Sequence, residues 1–130
     1  MAIDIVRVNE RSTRVVDFDL YDHQDSALAE ADILTATLTL FDLGTFHTTS
    51  SPMGGIINNR NAQNVLNAND VTVSDGTSKL VTWTMQSADN PIVDSRKDVE
   101  RHRATFVFTT SAGELRYMIE IEVKNLGGTS

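Results

Sequence analysis

Three observations predict an all-β sandwich. Apolar and polar residues alternate with period two along most of the chain, and long 3.6-residue stripes are missing. Turn signals carrying glycine, asparagine and aspartate separate the alternating segments. Threonine fills many outward positions, where a β-branched, polar side chain suits a wetted pleat.

The clearest strand runs from Ile33 to Phe41, with Leu34, Ala36, Leu38 and Leu40 on one face and Thr35, Thr37 and Thr39 on the other. Glu114 to Lys124 is as regular. Leu115, Tyr117, Ile119, Ile121 and Val123 point one way, and Arg116, Glu120, Glu122 and Lys124 the other. Before it, Arg103 to Thr109 turns Ala104, Phe106 and Phe108 inward, and Ser111-Ala112-Gly113 closes a hairpin. A second hairpin joins Val71 and Val73, through Ser74-Asp75-Gly76-Thr77, to Val81, Trp83 and Met85. Val16, Phe18 and Leu20 alternate inward near the start, and Ile3 to Val8 reads as an edge strand. The expected core therefore includes Leu38, Trp83, Phe106, Phe108, Tyr117, Ile119 and Ile121. About seven to eight strands in one domain spanning 1–130 give an immunoglobulin-like antiparallel β-sandwich. A closed barrel is the structural alternative.

Two segments depart from the alternation. Thr45 to Asn69 is one long, asparagine-rich loop in which Arg60 to Leu66 has room for a short helix. Ser87 to Arg101 carries Asn90-Pro91 and a mixed-charge run, and should cross from one sheet to the other.

Composition bounds the chemistry. A chain of 130 residues buries about two-thirds of its unfolded surface, enough to fold without a staple. Cysteine is absent, so disulfides and thiolate metal sites are excluded. A formal net charge of −7 opposes phosphate backbones, so no nucleic-acid partner is expected. No apolar run has a membrane-helix length, so no membrane partner is expected, and Met1-Ala2-Ile3-Asp4 lacks a signal-peptide layout.

Candidate reactive groups read as structural. Asp17, Asp19, Asp22 and Asp25 gather beside His23 without the glycine of a calcium loop. His23, His47 and His102 show no HxH or HExxH spacing, so no metal and no cofactor are expected. His102 reads as a core-edge histidine bonded to a turn. Glu120 and Glu122 share a strand face roughly 6–7 Å apart, but basic neighbours favour cross-strand ion pairs. No nucleophile elbow is present, so no catalytic residue is assigned. Gly127-Gly128 has no strand-loop-helix context and is a tail. The remaining signal is the amide loop, with Asn58, Asn59, Arg60, Asn61, Gln63, Asn64 and Asn67 as candidate interface residues, against a self-capped loop as the plain alternative.

Four stretches together carry a resemblance: Ile57-Asn58-Asn59-Arg60-Asn61-Ala62-Gln63-Asn64-Val65-Leu66-Asn67, Leu80-Val81-Thr82-Trp83-Thr84-Met85-Gln86-Ser87-Ala88-Asp89, Glu100-Arg101-His102-Arg103-Ala104-Thr105-Phe106-Val107-Phe108, and Ile121-Glu122-Val123-Lys124-Asn125-Leu126. Over roughly residues 13–126 the chain resembles small immunoglobulin-like structural proteins of tailed bacteriophages. His102 or Phe106 stands where immunoglobulin domains carry a corner tyrosine. The resemblance implies a virion protein made in the host cytoplasm. It implies many copies attached to other virion proteins, at the neck, in the tail or as capsid decoration. A carbohydrate- or receptor-binding module is the alternative. It is weakened because Tyr21, Phe41 and Phe46 alone remain as outward aromatic platforms for a glycan.

Overall fold

The computed structural model describes residues 4–46, 55–94 and 96–127. They form eight strands: β1 (Asp4–Asn9), β2 (Arg14–Phe18), β3 (Ile33–Asp42), β4 (Gln63–Asn64), β5 (Val71–Val73), β6 (Val81–Met85), β7 (Val99–Thr110) and β8 (Gly113–Lys124). One sheet has five strands in the order β1-β8-β7-β3-β4, and the other has three in the order β2-β6-β5.

The sheets pack face to face because each has one apolar side. Leu38, Trp83, Phe106, Phe108, Ile119 and Ile121 are fully buried. Each such side chain contributes about 1.5–3 kcal/mol through removal from water. Trp83 and Phe18 reach across from the small sheet and meet Phe106 edge-on, at centroid distances of 5.6 and 5.3 Å. Tyr117 differs from the expectation. It is only half-buried, because it lies near the turn end of β8, where its ring stacks on Phe18 at 4.0 Å.

Both expected hairpins form. Thr110 pairs with Gly113 across the Ser111-Ala112 link, and Gly113 takes a φ of +110° that a side chain would strain. Val71 pairs with Trp83 in the second hairpin.

Several readings are corrected. β1 does lie at an edge, but it runs parallel to β8, so the sandwich is not wholly antiparallel. The turn after Asn9 sends the chain to the other sheet at once, which leaves β1 beside the last strand. Leu34 is 56% exposed, and Ile33 takes the inward place. A register shift between Ile33 and Thr35 adds a residue and inverts the parity upstream of it. Val99 to Arg101 already belong to β7, although the segment before them does carry the chain between sheets.

No helix forms over 60–66. Gln63–Asn64 instead pairs with β3, and left-handed backbone occurs at Asn58, Asn59, Ala62, Asn67, Asn69 and Asp70. Asparagine tolerates that conformation because its short amide bonds to nearby backbone, and such bonds compete with helix. The His47 to Gly54 part of the long loop lies outside the described residues, as do Ile3 and Gly128.

Candidate functional site

The asparagine-rich loop is organised by one buried cation. Arg60, read from the sequence as a surface contact, is 2% exposed. Its Nε donates to Asp89 Oδ1 at 2.6 Å, and Nη2 donates to Asp89 Oδ2 at 3.1 Å and to Asp70 Oδ2 at 2.9 Å. Nη1 donates to Gln63 Oε1 at 2.8 Å and to the Asn69 carbonyl at 3.0 Å. All N–H groups of the guanidinium are thereby used, and its carbon sits 5.9 Å from the Trp83 ring centroid. Burial opposes the charge. The hydrogen bonds and charge of Asp89, then of Asp70, outweigh it and hold Arg60 above its ordinary pKa.

Asp89 is fully buried and equally occupied. Besides Arg60 it accepts from Asn58 Nδ2 at 2.8 Å and from the Gln86 N–H at 2.7 Å. The second contact closes the turn Ser87–Asp89, so one carboxylate ties the crossing segment to the loop.

The other loop amides divide between capping and display. Asn64 Oδ1 accepts from the Leu66 N–H, Asn67 Oδ1 from the Val73 N–H, and Asn69 Nδ2 donates to the Asn64 carbonyl. Gln63 is half-buried under Arg60. Asn58, Asn59, Asn61, Asn64 and Asn67 all remain exposed to solvent. The loop is both self-capped and outward-facing.

A second buried polar group lies at the ends of β3 and β7. Asp42 stands opposite His102, and Glu100 follows on the same inward face. Glu100 Oε1 accepts from the Val93 N–H at 2.9 Å, and Oε2 from the Asp94 N–H at 2.5 Å. His102 Nε2 lies 2.8 Å from Glu100 Oε1 and 3.8 Å from Asp42 Oδ1. The imidazole is thus fully buried between two carboxylates and reaches the Val93–Asp94 turn only through Glu100. At the turn, Asp94 is held down to about 2 by the Arg96 side chain and the Arg96 N–H.

The acidic group near Tyr21 does local work. Asp22 accepts from the Ser26 and Gln24 N–H groups, which lower its pKa, and Asp19 accepts from the Leu80 N–H at 2.9 Å. Glu120 pairs with Arg101 and Arg103, and Glu122 with Arg7 and Arg101. The expected cross-strand ion pairs are present, with arginines of the flanking strands β1 and β7 as partners.

Two of the surface grooves among the described residues carry exposed apolar or aromatic side chains. Ile5 and Val15, 47% and 59% exposed, line a groove of about 300 Å³ between the edge strands β1 and β2. The carbonyl of Arg7 on β1 is covered there by Arg14 Nη1 of β2, at 2.9 Å. A wider groove of about 690 Å³ has Tyr21, Leu115, Tyr117 and Arg116 in its wall. Tyr21 is 55% exposed, while Phe41, the second expected platform, is buried. The Phe46 side chain lies outside the described residues.

Sequence reasoning placed His102 at the edge of the core but missed Asp42 and Glu100 beside it, and it missed the Arg60–Asp89 pair. A signal for Glu100 existed: inward parity at Ala104, Phe106 and Phe108 extends back to His102 and Glu100. The Arg60–Asp89 pair, 29 residues apart, leaves no local trace. Comparison with protein-family models, with curated proteins and with solved structures gives no match.

Proposed function

We propose that this chain is a non-catalytic attachment domain, used in many copies as a structural component of a tailed-phage particle. The observation that carries the attachment reading is the amide loop. Arg60 and Asp89 fix its backbone from below, and Asn59, Asn61 and Asn64 stay exposed above. A loop already held in one conformation loses little entropy when it meets a partner. Exposed amides both donate and accept, which suits a protein surface. A stable contact with a neighbouring subunit would bury about 1,200–2,000 Å² in total.

The immunoglobulin-like reading is supported by strand order. β8-β7-β3 against β2-β6-β5 follows the order in which immunoglobulin domains set G-F-C against B-E-D. Those domains link strands B and F by a disulfide. Here Phe18 of β2 meets Phe106 of β7 edge-on. The virion assignment rests on the sequence resemblance, and the neck, the tail and the capsid surface are its open positions.

Mass spectrometry of purified particles tests it. The chain should be present at a fixed copy number, low for the neck and in the hundreds for a capsid lattice. Replacing Asn59 and Asn61 with lysine should reduce its incorporation while the domain stays folded. A particle without the chain would reject the proposal. The second reading, a glycan-binding module, draws on Tyr21 in its open groove. A glycan array showing binding lost in Tyr21→Ala would favour it.

A further inference from the structure

We propose that Asp42, Glu100 and His102 form a binding site for a divalent transition-metal ion, with zinc(II) as the fitting probe. The site is separate from the attachment surface proposed above. One ligand atom from each residue lies within 4.8 Å of the others, and all three side chains are buried. The donor set is one imidazole nitrogen and two carboxylate oxygens. Imidazole selects first-row transition ions, and carboxylates accept them as well. Calcium needs six to eight oxygens and fits this set poorly.

The geometry leaves one position between ring and carboxylate to be filled. Nε2 and Glu100 Oε1 are 2.8 Å apart, so either a proton or a cation must stand between them. A metal at about 2.0–2.1 Å from both spans that gap at an angle near 90°, and a shift of a few tenths of an ångström brings Asp42 into range. Glu100 is oriented for this by the Val93 and Asp94 N–H groups, the kind of outer support that metal-binding carboxylates use. His102 Nδ1 is buried without a hydrogen-bond partner. Without metal, a neutral ring protonated on Nε2 donates to Glu100 and leaves Nδ1 as a bare acceptor, and with metal on Nε2 the ring proton moves to Nδ1.

Two carboxylates beside one imidazole attract positive charge. Lys97 offers part of it. A Cβ added at Gly44 would lie 2.8 Å from Lys97 Nζ and 3.4 Å from Asp42 Oδ2, so the ammonium and the carboxylate crowd the same side of that glycine. The lysine is exposed and able to swing away when an ion enters.

Zinc titration of the chelator-treated full chain, followed by calorimetry and thermal unfolding, tests the site. One zinc per chain is expected. At a hundred-fold excess over Kd, the midpoint should rise by about 10 °C. Asp42→Asn and Glu100→Gln keep shape and hydrogen-bond acceptors and should each weaken zinc at least ten-fold. His23→Gln, at an exposed histidine, should leave binding unchanged. X-ray absorption should report one nitrogen and two oxygen ligands from protein. Folded wild-type chain that binds no zinc would overturn the proposal, and leave a proton as the bridge between His102 and Glu100. Binding that survives both Asp42→Asn and Glu100→Gln would overturn it too, because the ion would then lie elsewhere.

Discussion

Arg60–Asp89 and Asp42–Glu100–His102 are both buried polar centres in the sandwich, and they are built on opposite terms. At the first, every guanidinium N–H has an acceptor and Asp89 receives four hydrogen bonds. At the second, a ring nitrogen is left unpaired and two carboxylates face one imidazole. A saturated centre holds backbone in place and has nothing left to bind with. A centre where two carboxylates meet one imidazole has ligand atoms to offer a cation. The first belongs to the architecture of the loop, and the second is the place to look for chemistry.

The comparison breaks most readily at the Arg60 centre. Arg60→Ala should destabilise by about 3–5 kcal/mol, because Asp89 is left as an uncompensated buried charge. The Arg60→Met, Asp89→Leu double variant should cost clearly less than the two single changes summed. Denaturant unfolding of all three variants measures that coupling. Additive costs would mean that the pair acts as two separate contacts. Trp83→Ala, under the same guanidinium, should cost about 3–5 kcal/mol by opening a cavity.

At the second centre Glu100→Gln should cost less, about 1–2 kcal/mol in metal-free protein. Its remaining carbonyl still accepts a turn N–H, and one of the two buried carboxylates is removed. A cost equal to that of Arg60→Ala would show that the triad is as tightly satisfied as the arginine. Asn67→Ala should cost about 1 kcal/mol, through loss of the cap on the Val73 N–H.

The smallest effect concerns Asp94, whose N–H supports Glu100. Its carboxyl stays ionised down to about 2, because the Arg96 side chain and N–H favour the charged form. A depressed value means its contribution is fully present above the ordinary carboxylate range and is lost as pH falls through about 2. In Arg96→Ala the carboxyl should titrate closer to the ordinary range, as read by carboxyl carbon NMR. An unchanged titration would assign the shift to the backbone N–H alone.

Legibility followed the range of the interactions. Side-chain alternation is local, so β7, β8 and the hairpin turns could be read from neighbouring residues. The bulge after Ile33 could not, because it depends on how β3 registers against β7. Leu34 was misplaced for that reason. The loop misled in another way. A string of amides looks like surface, and most of these amides are exposed, yet the single arginine among them is the residue that the fold buries.

Sequence alone determined the fold class, the six fully buried core positions from Leu38 to Ile121, and both hairpins, because period-two patterning and turn chemistry act between near neighbours. Tertiary structure alone decided that β1 runs parallel to β8, that Arg60 lies inside against Asp89, and that Asp42 joins Glu100 and His102. Those placements bring together residues tens of positions apart. Burial and charge pairing choose such partners only when both sheets have closed on the same interior.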